Sequence, residues 1–132
     1  MKLLAPVSVG EIFDKLSILQ IKEEKILSPE KLSNIKNEIE GLKKTISNTE
    51  LNEQTCPKML AVLKKKLYDT NLTLWNIEDK LRKLENQKDF GEEFISLARQ
   101  VYITNDMRAS IKKEINELTG SEFTEEKHYS EY

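Results

Sequence analysis

Turn-forming residues are scarce. The chain has 3 Pro and 4 Gly in 132 residues, too few to reverse direction at the short, regular intervals that a β-sandwich or barrel needs. Cys56 is the single cysteine, which excludes an intrachain disulfide and suits a reducing compartment. No base in the sequence neighbours it, so an inert thiol is expected. His128 is the only histidine and falls near the end of the sequence, which leaves little from which to build a Ser-His or Cys-His nucleophile or a histidine-rich metal site. Glycine-rich phosphate loops and dinucleotide fingerprints are missing as well.

Long apolar runs are also lacking. Nothing approaches the roughly 20 residues that cross a bilayer, and the opening Met1-Lys2-Leu3-Leu4-Ala5-Pro6 is too short in apolar residues for a signal peptide. Charge of one sign is absent too. A net charge of −2 supplies no field for nucleic acid or an anionic membrane. The run Lys64-Lys65-Lys66 fans around a helix and reads as solvated charge. These absences lead to a cytoplasmic protein that binds neither nucleic acid nor membrane.

What is present is helical periodicity. The length suits one domain, large enough to fold without a disulfide or metal. Ser8-Val9-Gly10-Glu11 has the form of a capping box, with Val7 and Ile12 at the staple positions. Val9, Ile12, Leu16, Leu19 and Ile26 follow at helical spacing and predict a helix over 9–27. Ser28 and Pro29 stop it and cap the next, whose stripe of Leu32, Ile35, Ile39, Leu42 and Ile46 predicts a helix over 29–47. So short a connection makes these two a hairpin. Residues 47–55 read as a polar loop. Pro57 opens a third helix over 57–87, with a seam of Leu60, Leu63, Leu67, Thr70, Leu74, Ile77, Leu81 and Leu84. Asp89-Phe90-Gly91-Glu92 resembles a second capping box, leading a helix over 90–118 that carries Phe94, Leu97, Val101, Thr104, Arg108, Ile111, Ile115 and Leu118, with Gly120 as its stop. The acidic tail, 121–132, holds Phe123, Tyr129 and Tyr132 for packing back or for a partner.

The expected fold is therefore all-α, an elongated four-helix bundle made of a short hairpin and a longer one. A helix of about 30 residues is roughly 45 Å long, whereas a compact chain of this size is about 36 Å across. Either part of the third helix pairs with a second chain, as in a homodimer, or that helix bends; the unbroken 3-4 seam favours the elongated bundle and the homodimer.

Charges that interrupt the seams single out candidate residues. Glu23 sits between Leu19 and Ile26, and Arg108 between Thr104 and Ile111. A lone buried charge costs several kcal/mol, so each needs a partner. Pairing of Glu23 with Arg108, in a cluster with Thr104 and Asn105, is the economical arrangement. Its two readings are a register-fixing ion pair and a polar pocket between helices. Glu11, Asp14, Lys15 and Lys22 lie off the main seam of the first helix with Ile18 and Ile21 among them, so that helix is expected to be contacted on two sides. Trp75, Glu78 and Arg82 share one edge of the third helix, beside Asp79. Arg99 precedes Tyr102 by a turn, and Asn105 precedes Arg108 by a turn. Surface charge pairing within a helix is the plain alternative for each group.

Several of these segments resemble a small uncharacterised family of helical proteins from bacteria and their phages. The likeness rests on Pro6-Val7-Ser8-Val9-Gly10-Glu11, Asp14-Lys15, Leu74-Trp75 with Ile77-Glu78-Asp79, Leu97-Ala98-Arg99, Thr104-Asn105-Asp106, Arg108 and Glu114-Ile115-Asn116. It spans nearly the whole chain apart from 48–60. It implies that Glu11, Asp14, Lys15, Trp75, Glu78, Arg99, Asn105 and Arg108 belong to the family pattern. Glu23 does not, which leaves Arg108 free to face Glu78 or Glu11 instead.

The leading expectation is a non-catalytic binding or assembly module without a cofactor, whose partner is a protein or a second copy. The alternative is a small enzyme or ligand-binding protein for an anionic, phosphorylated or sugar-linked molecule. Arg99, Arg108 and Lys15 would hold the anion while Glu11, Asp14 or Glu78 did acid–base or Mg²⁺ work. The i, i+3 pairs Glu11 with Asp14 and Glu114 with Glu117 are the Mg²⁺ candidates of a metal-dependent hydrolase.

Overall fold

A computed structural model describes residues 1–51 and 56–132. Among these residues are four helices, α1 (Val9–Lys25), α2 (Pro29–Ser47), α3 (Pro57–Asn86) and α4 (Glu92–Thr119), and no strand. The fold is the expected all-α bundle of a shorter and a longer hairpin. Part of the predicted loop, 52–55, lies outside the described residues.

The helix ends follow local chemistry, with two departures. Ser8 caps α1 by accepting from the Glu11 amide at 3.2 Å. The return half of the box is not made, because the Glu11 carboxylate reaches Lys112 instead, at 2.6 Å. At the start of α4 the second capping box does not form. Asp89 accepts from the Gly91 amide at 3.2 Å, and Gly91 itself is the N-cap with no side-chain bond. Gly120, at φ 64°, closes α4 in the left-handed conformation that glycine adopts without penalty.

Two apolar clusters run along the α3–α4 hairpin. The first unites Phe13 of α1 with Leu63, Leu67, Ile111 and Ile115. The second contains only α3 and α4 residues: Ile77, Leu84 and Leu97, with Leu81, Phe94 and Val101 at its margin. α1 lies antiparallel to α4, since Gly10 meets Asn116 and Asp14 meets Arg108. α2 folds back along α1, where Lys15 reaches Glu38 at 3.1 Å. The rod shape costs surface. The chain exposes 9841 Å², against about 7,200 Å² for a compact monomer of its mass.

α1 buries only Leu19 of the face its apolar pattern selects. Val9, Ile12, Leu16 and Ile26 are half-buried, whereas Gly10, Phe13, Asp14, Ser17, Leu19 and Ile21 are buried. Helix one is indeed contacted on two sides. Its deeper side is lined by small and polar residues.

Candidate functional site

Among the described residues, Asp14 is the only ionisable side chain that is fully buried, at 1% exposure. Both its oxygens accept from Arg108: Nε bonds Oδ1 at 2.8 Å, and Nη2 bonds Oδ2. Asn71 of α3 donates to the same carboxylate at 2.9 Å and to the Ser17 hydroxyl at 2.7 Å. Three helices thus meet on one carboxylate. A forked guanidinium is the donor that matches a carboxylate with two parallel bonds. The Asp14 hydrogen bond holds the Arg108 pKa above its ordinary value.

One turn further along α4, Lys112 is also buried. Its ammonium bonds Glu11 and Glu125 at 2.6 Å each and lies 4.0 Å from Asp14. Burial alone pulls the Lys112 pKa down, but the hydrogen bonds to Glu11 and Glu125 and the Asp14 charge outweigh it, and the net direction is up. The backbones come close here. Gly10 donates to Asn116 at 2.7 Å, and a β-carbon on Gly10 would stand 2.6 Å from the Lys112 carbonyl.

The predicted partner of Arg108 is therefore corrected. Glu23 is exposed, and neither Glu11 nor Glu78 bonds the guanidinium. Asp14 does so, because position 14 lies on the inner side of α1, while position 23 turns toward water. Of the candidate residues singled out in the sequence, Glu11, Asp14, Asn105 and Arg108 gather at this contact, and Arg108 reaches Asn105 at 3.5 Å. Trp75 and Glu78 flank it across a groove. Lys15 and Arg99 do not join. Lys15 pairs with Glu38 on the α2 side, and Arg99 is exposed. The proposed clamp of Lys15, Arg99 and Arg108 is thus spread over separate faces.

The groove lies between α1, α3 and α4 and has a volume of about 460 Å³, within the range of small-ligand sites. Ile18, Ile21 and Leu74 give it apolar walls; Trp75, Glu78, Arg82, Asn105 and Arg108 give it polar edges. Arg82 pairs loosely with Glu78 at 3.4 Å and is largely exposed. A second cavity of about 560 Å³ lies on the other side of Arg108, beneath the tail. There Lys127 reaches Asp106 at 3.2 Å and Tyr132 stands edge-on to Tyr102 at 5.2 Å. Tyr129 is exposed beside Lys127.

The carboxylates of the Mg²⁺ alternative, Glu11 and Asp14, each hold a cation of α4, so a metal there would have to displace Lys112 or Arg108. Sequence reasoning missed Lys112, Asn71, Ser17 and Asn116 as buried polar partners. Their only signal was a place on or next to an apolar seam, where Asn71 follows Thr70 and Lys112 follows Ile111.

Fold and site together define a helical bundle with an ionic α1–α4 contact and a mixed groove beside it. No family model matches the chain, and neither curated proteins nor solved structures provide a match. No helix among the described residues is long and apolar enough to cross a membrane.

Proposed function

We propose that this chain is a cytoplasmic, non-catalytic binding module whose α1–α3–α4 groove takes a small molecule with an anionic end and a flat apolar body. One observation carries the reading. Two of the Arg108 nitrogens are fixed on buried Asp14, while the same guanidinium lines the groove opposite Trp75. A guanidinium held in this way costs little further ordering when it meets an anion. Arg82 at the rim adds a second charge, and Trp75 with Leu74 offers a surface for a ring. A binding role is favoured over catalysis because the one carboxylate of the cluster that is deeply buried, Asp14, lies under Arg108 rather than open to a substrate. Membership of the bacterial and phage helical family is part of this proposal.

Trp75 is the only tryptophan, so its fluorescence reports on the groove. Titration with inorganic phosphate, nucleoside monophosphates and sugar nucleotides should find a probe that changes Trp75 emission with micromolar saturation. That probe should also raise the melting temperature, since a ligand selective for the native state stabilises it by about 2.7 kcal/mol at a hundred times its Kd. Arg82→Ala, on an exposed side chain, should weaken that binding about tenfold. A panel that moves neither emission nor melting temperature at millimolar concentration would remove the proposal.

A further inference from the structure

We infer that a second copy of this chain covers the outer half of the α3–α4 hairpin and completes a four-helix bundle with it. The argument begins with α1. On α4 the row that meets α1 is Asn105, Arg108 and Lys112, and at the same 3-4 spacing it continues toward the helix start as Val101, Ala98 and Phe94. On α3 the matching row is Leu67, Asn71, Leu74 and Glu78, and it continues as Leu81 and Glu85. α1 stops at Lys25, and the second apolar cluster draws no residue from α1 or α2. A helix-wide slot therefore extends past the end of α1. Its centre is apolar: Leu81, Phe94, Ala98 and Val101 all remain half-buried.

Three observations select a second copy as the occupant. A two-helix segment has no further layer of its own, and pairs of hairpins make stable bundles by facing each other. The surface in excess of a compact monomer, roughly 2,600 Å² of which the extended termini supply a part, is well above the roughly 800 Å² that each partner gives up in a standard interface. The slot's rim is also self-complementary. Arg82 and Glu85 lie one turn apart on α3, both exposed, and Glu85 makes no ion pair among the described residues. A two-fold axis across the slot places each against the other's counterpart, as an isologous contact requires.

The inference shares Arg82 with the rim of the ligand groove, but its readout is mass rather than binding, and Ala98 lies outside that groove. Light scattering on the full chain at 100 µM (about the upper range of an ordinary preparation) should give twice 15.4 kDa. Ala98→Glu should give the monomer mass with the helical circular dichroism unchanged. If that variant unfolds, the charge swap decides. Arg82→Glu should raise the dimer dissociation constant about tenfold, and Arg82→Glu with Glu85→Arg should restore it. A wild-type chain monomeric at 100 µM overturns the inference. So does a dimer indifferent to Ala98→Glu and to the charge swap, or a slot occupied by another protein while the chain itself stays monomeric.

Discussion

Asp14, Arg108 and Lys112 illustrate how a buried charge is tolerated. The carboxylate accepts from Arg108 and Asn71, and among the described residues every buried side-chain nitrogen and oxygen has a hydrogen-bond partner. Removing one member of such a set leaves the others desolvated and unpaired, which costs about 3–5 kcal/mol, whereas replacing the pair together by apolar groups is often neutral. Asp14→Ala is therefore expected to lower unfolding stability by about 3–5 kcal/mol in urea. Asp14→Leu with Arg108→Met should cost less than the two single changes combined. Additive losses in that double-mutant cycle would mean that the two side chains act separately. Gly10 belongs to the same contact. A methyl there meets backbone, the Lys112 carbonyl, at 2.6 Å, and backbone does not yield as a side-chain tip would. Gly10→Ala should destabilise by about 1–3 kcal/mol.

At the scale of elements, α2 gives the opposite glycine result. A β-carbon on Gly41 meets nothing within 4 Å, so Gly41→Ala should stabilise by about 0.5–1 kcal/mol through helix propensity alone. Chemical unfolding of the two alanine variants side by side checks the pair, and equal effects would contradict the α1–α4 approach. The helices themselves were legible because the leucines and isoleucines of α3 and α4 recur every three or four residues, and those positions are buried or half-buried. α1 was legible only in part. Its buried stripe runs through Gly10, Asp14 and Ser17, residues that a hydrophobic pattern scores as wet. They are buried because hydrogen bonds and close backbone approach substitute for apolar contact, and both depend on α3 and α4 being in place. The same reason hid the Asp14–Arg108 pair. Arg108 broke the apolar pattern visibly, but its partner lay off the main apolar seam of α1, among charged residues with only Ile18 and Ile21 beside them. Trp75, Glu78 and Arg82 were placed on one edge correctly, since that needs only the helical repeat.

The whole molecule responds to pH through the contact between α1 and α4 and through the tail. Lys112 and Arg108 both have raised pKa values. So do Tyr68, through its hydrogen bond to Glu24, and Tyr132, through its hydrogen bond to Asp106. For each of these the native state binds its proton more tightly than the unfolded chain does. Unfolded lysine and tyrosine titrate near 10.4 and 10. The stability these groups contribute is complete below those values and is lost as pH rises through the raised native ones. Asp106 runs the other way. Its hydrogen bonds to Tyr132 and Lys127 lower its pKa, so its contribution is present above about pH 4 and fades as pH falls through the depressed value. The melting temperature should therefore be nearly flat from about pH 6 to 9 and fall steeply above about pH 10, where Lys112, Tyr68 and Tyr132 act in the same direction while Arg108 keeps its proton in both states. Lys112→Met would be less stable than the parent at pH 8, because Glu11 and Glu125 lose their shared cation. Its melting temperature should nevertheless fall less between pH 8 and 11, since the proton it no longer holds cannot be lost. A variant with the parent's full alkaline slope would show that the α1–α4 contact does not carry the titration, and that Tyr68 and Tyr132 do.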